Sequence, residues 1–373
     1  MKILEIDTLD HYRTQQFLDL PAKVYRETPQ WVPPLIADMK HIFDKQHNPF
    51  YLHSTVSFFL ATSADGASLG RLAVLNNTHY NDFNHEQTAF FYLFESMHDP
   101  EAARALFEAG FNWARRLGLT KILGPRGFSS LDGLGMLVKG FEHRPAFGIP
   151  YNPPYYPELV QAVGFIPHSD IVSGYLSAET QFPQKIHRIS ELVQQRRGLS
   201  IARYRTRSDL QELVPQLMRV YNGMLQGSTG NIPLTDEEAN SIAKQLLWFS
   251  DPRLIKVIMK GASPVGFLFA YPDISAAVQR TKGQMFPLGW IDLLHEMKRT
   301  KWVNINGAGI LEEYQGLGGT AILFSEMHKS IVEGNFKHAE IVQIGVDNNK
   351  MQRELRDLGI DFYKTHRIYQ RDL

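Results

Sequence analysis

Three glycines lie between a strand-like and a helix-like segment near the end of the sequence. Residues 303–311 alternate apolar and polar side chains, and the apolar residues from 321 to 331 recur at helical spacing. Gly316, Gly318 and Gly319 stand between the two. Glycine lets a backbone approach a ligand without a Cβ in the way, and the first N–H groups of a helix lack partners within it. A strand, a glycine turn and a helix therefore favour binding of a phosphate or pyrophosphate.

The spacing around these glycines narrows the choice of ligand. No Gly-Lys-Ser/Thr follows them, and they do not form Gly-x-Gly-x-x-Gly, so neither the P-loop nor the dinucleotide fingerprint fits. The turn resembles the acetyl-CoA loop of the GCN5-related N-acetyltransferases, Gln/Arg-x-x-Gly-x-Gly/Ala. The match rests on Gln315 and Gly318, while Thr320 stands where that family prefers Gly or Ala. The resemblance implies a pyrophosphate site made by Gln315, Gly316, Leu317, Gly318, Gly319 and Thr320.

Composition excludes several classes of protein. The 373 residues include 43% hydrophobic residues, and Lys+Arg and Asp+Glu both total 39, so the formal net charge is zero. Nucleic acids and anionic membranes select basic surfaces, so we expect neither as the main partner, although a local basic patch stays compatible with this balance. The absence of cysteine excludes disulfides, thiolate metal sites and a cysteinyl intermediate. With no signal peptide or long apolar run, we expect a cytoplasmic protein, monomeric or homodimeric, without a metal.

The order of predicted elements repeats, which indicates an α/β protein with two tandem domains of mixed sheet, 1–180 and 181–373. In each half a β-hairpin and a further strand precede a helix, a strand, a second helix and a closing strand. In the first half these are predicted at 56–62, 70–76, 88–94, 100–117, 119–123, 155–163 and 171–176. In the second half, a strand at 199–205 and helices at 210–225 and 235–249 precede the corresponding elements, at 254–259, 264–271, 302–311, 320–334, 339–346, 349–358 and 362–370.

The repeated plan strengthens the resemblance to the acetyltransferases, closely over residues 195–373 and by element order alone over 1–180. That family carries an Asn about eleven residues before a Leu-Gly-Phe, which Asn348 and Leu358-Gly359-Ile360 match. The segments 31–34 and 151–156 are similar to those of bacterial tandem acetyltransferase-like proteins. The resemblance implies that Asn348 binds the pantetheine amide of acetyl-CoA or another acyl-CoA. It also implies that backbone N–H groups around Ile310 and Leu311 polarise the thioester carbonyl.

An amine that attacks a thioester must first lose a proton, and a carboxylate can accept it. Glu312 and Glu313 end the predicted strand beside the thioester position, so we predict that they act as the general base. The tyrosine that protonates the CoA thiolate in many family members is replaced by Leu355 here. Tyr363 and Tyr369 are nearby alternatives, although strand aromatics more often pack in the sheet.

The two halves of the sequence differ at the position of the acetyl-CoA loop. After Glu95 the first half runs directly into a helix without a glycine turn, so we expect no CoA there. The sequence thus predicts an acyl-CoA-dependent N-acetyltransferase whose acceptor is a small-molecule or peptide amine. Two alternatives stay open: a non-catalytic acyl-CoA-binding sensor, and a tandem aminoacyl or acyl transferase acting on peptides or cell-wall precursors.

Overall fold

The computed structural model describes residues 1–129, 132–204, 206–224, 232–247 and 250–373. Its strands are β1 (Lys2–Glu5), β2 (Thr55–Thr62), β3 (Ser68–Asn76), β4 (Thr88–Ser96), β5 (Lys121–Gly124), β6 (Met136–Lys139), β7 (Ile166–Ser177), β8 (Leu199–Ala202), β9 (Ile255–Lys260), β10 (Ser263–Pro272), β11 (Trp302–Ile310), β12 (His338–Gly345) and β13 (Asp361–Asp372).

The α-helices alternate with these strands. They are α1 (His11–Val24), α2 (Ile36–Ile42), α3 (Thr78–Asn84), α4 (Pro100–Arg116), α5 (Tyr156–Ala162), α6 (Gln184–Arg197), α7 (Arg207–Met224), α8 (Asp236–Leu247), α9 (Ser275–Thr281), α10 (Gly289–Arg299), α11 (Gly319–Glu333) and α12 (Asn349–Asp357). Short 3₁₀ turns cover Pro49–Leu52, Pro252–Leu254 and Glu312–Tyr314. Within the described ranges no helix is both long and apolar enough to cross a lipid bilayer.

The repeated order of strands and helices is confirmed, and local chemistry explains several of the boundaries. Asp99 caps α4 with Pro100 in its first turn. Thr235 and Glu238 form the predicted capping box before α8, since each backbone N–H donates to the other residue's side chain, at 2.9 and 3.2 Å. The predicted ends at Arg205, Leu225 and Phe249 lie outside the described residues. Sequence periodicity did not predict α6 or α10.

The chain forms two compact units. Unit 1 comprises Met1–Val172, Ala277–Gly289 and Lys364–Leu373. Its strands follow the order β1-β2-β3-β4-β5-β13, in which β4 and β5 are parallel and the other neighbours are antiparallel. The apolar face of α4 packs in its core through Leu106, Phe107 and Phe111.

Unit 2 comprises Ser173–Ala276 and Trp290–Tyr363. Its strand order is β7-β12-β11-β10-β9-β8, with β11 and β12 parallel. The core includes Ile322 and Met327 of α11, together with Val303 and Ile305 of β11. The unit boundaries fall inside β7 and β13, so the closing strand of each sequence repeat supplies residues to both units. The division at 180/181 stays a prediction.

Candidate active site

The predicted glycine turn leads into α11 with an N-terminus that no side chain caps. Gly318 is the N-cap residue, in the left-handed conformation with φ of +90°, and α11 begins at Gly319. The first N–H groups of a helix have no intrahelical acceptors and carry partial positive charge. Without a capping carboxylate or hydroxyl, this end of α11 is suited to an anionic ligand.

The structure explains differently why each of the three positions in the turn is a glycine. A Cβ on Gly318 would lie 2.6 Å from Val193 Cγ2 in α6, and a Cβ on Gly319 would lie 2.7 Å from Ile310 Cδ1 in β11. Packing of α6 and β11 against the start of α11 therefore requires both glycines. Gly316 has φ of +72° and open space where its Cβ would be. A ligand can therefore come close to the backbone of this turn at Gly316.

The strand before the turn presents one open edge. Leu311 N–H donates to Val265 O at 2.9 Å. This bond occupies an N–H group that the resemblance assigns to the thioester carbonyl, so the expectation for Leu311 needs correction. Adjacent residues of a strand direct their backbone groups to opposite edges, so Ile310 faces away from β10. Its carbonyl accepts a hydrogen bond from Gln315 Nε2 at 3.2 Å, which folds the Gln315 side chain over this edge.

The open edge borders a slot between two parallel strands. β11 and β12 pair over only four residues, from Trp302↔His338 to Ile305↔Ile341. Beyond that point Gly307 has φ of +100° and Gln343 has φ of +53°, which bends each strand just past the last pair. Past Ile305 and Ile341 the two strands no longer pair with each other, so the backbone of 306–310 and of 344–345 can receive an extended, amide-bearing ligand between them. Gln343 N–H already donates to Ser173 Oγ at 3.1 Å.

The remaining predicted residues differ in their exposure and in their hydrogen bonds. Glu312 and Glu313 are exposed in the single 3₁₀ turn Glu312–Tyr314, and Leu317 and Thr320 are half-buried. Asn348 is the N-cap of α12, and its Oδ1 accepts the Met351 N–H at 3.1 Å. Capping therefore accounts for Asn348 without a ligand, and its binding role stays a prediction.

The two tyrosine alternatives have different environments. Tyr369 is buried in the core of unit 1, where it packs as a strand aromatic. Tyr363 is half-buried in unit 2 and hydrogen-bonded to the Glu340 carboxylate. Burial, and secondarily the Glu340 charge, raise the pKa of Tyr363 far above its usual value. Tyr363 therefore holds its proton at neutral pH. Leu355, at the usual tyrosine position, is fully buried in the core.

Sequence reasoning missed a buried polar network at the closed end of the slot. Glu340, only 2% exposed, pairs in register with Asn304, one position before the strands part. Asn304 Nδ2 donates to Asp273 Oδ1 at 2.9 Å. Burial, followed by the charges of Asp273 and Glu340, raises the pKa of Tyr271. The alternation of polar and apolar residues in β11 and β12 was a signal, because it places Asn304 and Glu340 on one face.

The helix at the corresponding position of unit 1, α4, has a capped N-terminus. The Asp99 carboxylate accepts the Glu101 and Ala102 N–H groups, both at 3.0 Å, and so places a negative charge at the start of α4. β4 and β5 pair over only three residues, and Leu93 has φ of +50° beyond them. Beside the parted strands of unit 1, α4 thus begins with a carboxylate instead of an uncapped glycine turn. Over the described parts of both units, no cluster of three His, Asp or Glu side chains could hold a metal ion.

Comparison with solved structures shows which class of fold this is. A tandem GNAT protein from the clavulanic acid biosynthesis pathway aligns with a TM-score of 0.57 and 13% identity, covering 100% of this chain and 98% of that chain. A GCN5-related N-acetyltransferase from Sphaerobacter thermophilus aligns with a TM-score of 0.52 and 11% identity, covering 100% and 95%. The chain has the tandem fold of the GCN5-related N-acetyltransferases, as its repeated element order predicted.

Two curated proteins are similar to nearly the whole sequence. "Bacterial ceramide synthase" of Caulobacter vibrioides (strain NA1000 / CB15N) is 27% identical over 371 residues, covering 96% of this chain and 94% of the relative. "Protein YghO" of Escherichia coli (strain K12) is 25% identical over 367 residues, covering 96% and 92%. No family model matches the chain.

Proposed function

We propose that this protein is an acyl-CoA-dependent N-acyltransferase that binds its donor in unit 2. The observation that carries the proposal is the slot between β11 and β12, which lies beside the uncapped glycine entry of α11. An acyl-CoA has an anionic diphosphate followed by an extended chain with two amides. The diphosphate matches the helix entry, and the amide-bearing chain matches the space where β11 and β12 part.

The residues around the slot suit specific parts of such a donor. The diphosphate would contact the N–H groups of the turn, where Gly316 leaves open space. The pantetheine would lie along the slot, with Ile310 on one side and Asn348 beyond the end of β12. Asn348 Oδ1 is already engaged as the helix cap, so its Nδ2 is the group available to a donor carbonyl.

The transfer itself needs a proton acceptor and a proton donor. The neutral amine attacks the thioester carbonyl, a C–N bond forms, the C–S bond breaks, and the amine proton ends on the CoA thiol. We assign proton handling to Glu340 and Tyr363, because they are hydrogen-bonded to each other beside the closed end of the slot. Glu312 and Glu313 stay as exposed alternatives for the base.

We propose a lipid-like primary amine as the acceptor. Support comes from the relative named "Bacterial ceramide synthase", because its similarity covers nearly the full length of both chains. A ceramide is an amide of a long-chain amino alcohol, so this reaction class is N-acylation of an amine. The predicted small-molecule and peptide amines are acceptors of the same reaction class.

Donor binding can be tested by calorimetry with acyl-CoA. We expect one molecule per chain, because Asp99 occupies the equivalent helix end in unit 1. Gly318→Asp should weaken binding by about a hundredfold or more, since it brings a carboxylate within a few ångströms of the diphosphate. Gly261→Asp is the control for a charge added at a glycine of positive φ: Gly261 has φ of +59° and open space in the β9–β10 turn. Because a Cβ on Gly318 also meets Val193, the melting temperatures of both variants are compared to separate lost binding from a damaged fold. Equal loss in both variants, or no binding by the unaltered protein, would contradict the donor site.

A sensor that binds acyl-CoA without transferring the acyl group is the second candidate. The buried Leu355, at the usual position of the acid, favours it. Tight binding combined with no thiol release for any amine would select this alternative.

A further inference from the structure

Helix α10 of unit 2 exposes apolar side chains along one face. Trp290, Ile291 and Leu294 are 42%, 48% and 37% exposed, whereas Leu293 and Glu296 on the opposite face are buried. Trp290, Leu294 and Lys298 follow each other at intervals of four residues, so they share one face of the helix. The apolar exposed side therefore continues directly into an exposed cation at the C-terminal end of α10.

Large apolar residues rarely cluster on a water-exposed segment unless another surface covers them. The exposed Trp290, Ile291 and Leu294 therefore mark a face of α10 that is suited to a binding partner.

A cationic pocket lies at the C-terminal end of the same helix. It has a volume of about 330 Å³, and Leu294, Met297 and Lys298 of α10 form part of its wall. Four cationic side chains line it: Arg207, Arg253, Lys298 and Lys301. The acidic side chain in its lining is Asp251, which Arg253 already binds at 2.7 Å. The pocket thus carries an excess of positive charge although the chain as a whole is neutral.

We propose that this surface, the apolar face of α10 with its cationic pocket, docks the protein on an anionic phospholipid membrane. Trp290, Ile291 and Leu294 would enter the boundary between headgroups and acyl chains, and the pocket would take a lipid phosphate. A helix with aromatic and aliphatic residues on one side and Lys or Arg beside them is typical of binding in the membrane interface. A free phosphate would engage the pocket but would leave the apolar face uncovered. The surface thus adds a membrane partner that the balanced net charge argued against.

Docking on a membrane would bring the protein to a lipid-like acceptor. Only this link between docking and the acceptor rests on the proposed function. Vesicle binding is measured without an acyl donor, so its result is independent of acyl transfer. The two proposals can therefore fail separately.

The test is cosedimentation of the full chain with phosphatidylcholine vesicles, with and without phosphatidylglycerol. The unaltered protein should bind the anionic vesicles and release them as salt is raised. The pair Lys298→Glu with Lys301→Glu should weaken binding by more than about tenfold, because each cation near an anionic surface contributes about fivefold. Ile291→Asp should weaken binding comparably, because it places a charge among the acyl chains.

Two matched variants control for general effects of charge on the same unit. Val332→Asp replaces an exposed aliphatic residue of α11, and Lys185→Glu reverses an exposed cation of α6. Both should bind vesicles as the unaltered protein does. Docking would be overturned by absence of binding to anionic vesicles, or by α10 variants that bind as well as the controls. It would also be overturned if inorganic phosphate bound the pocket while vesicles did not, or if Ile291→Asp abolished only self-association.

Discussion

In the proposed mechanism, proton transfer at the slot depends on the buried Glu340 carboxylate and on Tyr363. Glu340 lies one position before the last pair of β11 and β12, and Tyr363 donates a hydrogen bond to its carboxylate. A buried pair of this kind has a fixed geometry, whereas Glu312 and Glu313 project into solvent from a short turn. Substitution of Glu340, compared with substitution of Glu312 and Glu313, can therefore show which carboxylate is the base.

Glu340→Gln should lower kcat by about a hundredfold or more, in the range that general acid–base catalysis contributes. The donor Kd, measured by calorimetry, should stay unchanged, which distinguishes lost chemistry from a damaged fold. Glu333→Gln, at the exposed end of α11, is the control carboxylate. Full activity in Glu340→Gln together with loss in the double variant Glu312→Gln, Glu313→Gln would return the role to the exposed pair.

His366 makes the stability of unit 1 sensitive to acid. Its Nε2 donates to Pro150 O at 2.9 Å, and Nδ1 is buried without a partner among the described residues. Burial, with a smaller contribution from the Lys364 charge, lowers the pKa of His366 to about 4. The unfolded chain therefore gains a proton below its ordinary pKa of 6.5, and the folded chain does not until about 4.

Unfolding free energy should consequently fall by up to about 3 kcal/mol as pH is lowered from about 6.5 to about 4. Denaturant titrations at a series of pH values measure this slope. His366→Gln should flatten it, and His168→Gln, an exposed position on β7, should preserve it. An unchanged slope in His366→Gln would show that other groups cause the loss of stability in acid.

Among the structural elements, β3 and β4 of unit 1 are linked by a buried ion pair. Arg71 Nε donates to Glu95 Oε2 at 3.2 Å, and Arg71 Nη1 donates to Phe17 O at 2.8 Å. Burial raises the pKa of Glu95, although the Arg71 charge opposes this. Removing one partner leaves the other charge buried and uncompensated.

Arg71→Met should therefore lower the free energy of unfolding by about 3–5 kcal/mol, as judged by denaturant unfolding. Adding Glu95→Gln should recover part of that loss, because it removes the unpaired carboxylate. Lys329→Met breaks an exposed pair with Glu326 and should cost only about 0–1 kcal/mol. Strictly additive losses in the double variant would mean that the Arg71–Glu95 pair contributes no coupling.

Periodicity and capping chemistry predicted most elements because those signals are local. The hairpins, the Asp99 cap and the strand–glycine–helix order around Gly318 belong to this group. The packing of Val193 of α6 against Gly318 was not predictable, because it joins segments far apart in sequence. The position of Glu340 opposite Asn304 depends likewise on the register between β11 and β12, which no single segment encodes.

At the scale of the whole molecule, one fold occurs twice, and the two copies differ in chemistry. Parted parallel strands occur in both units. Among the described helices, α11 combines them with an uncapped glycine entry, whereas Asp99 caps the corresponding end of α4. The sequence showed this asymmetry through its glycines. It did not show that β7 and β13 each supply residues to both units, because a strand's pattern does not name its partner.

The most direct test of the central claim is thiol release from acyl-CoA in the presence of a long-chain amino alcohol. The chain contains no cysteine, so every thiol detected by a thiol reagent comes from CoA. We predict release that requires the amine, accompanied by formation of the amide, and that is lost in Gly318→Asp but retained in Gly261→Asp. No release with any amine, together with no binding of acyl-CoA by calorimetry, would contradict an acyl-CoA-dependent N-acyltransferase.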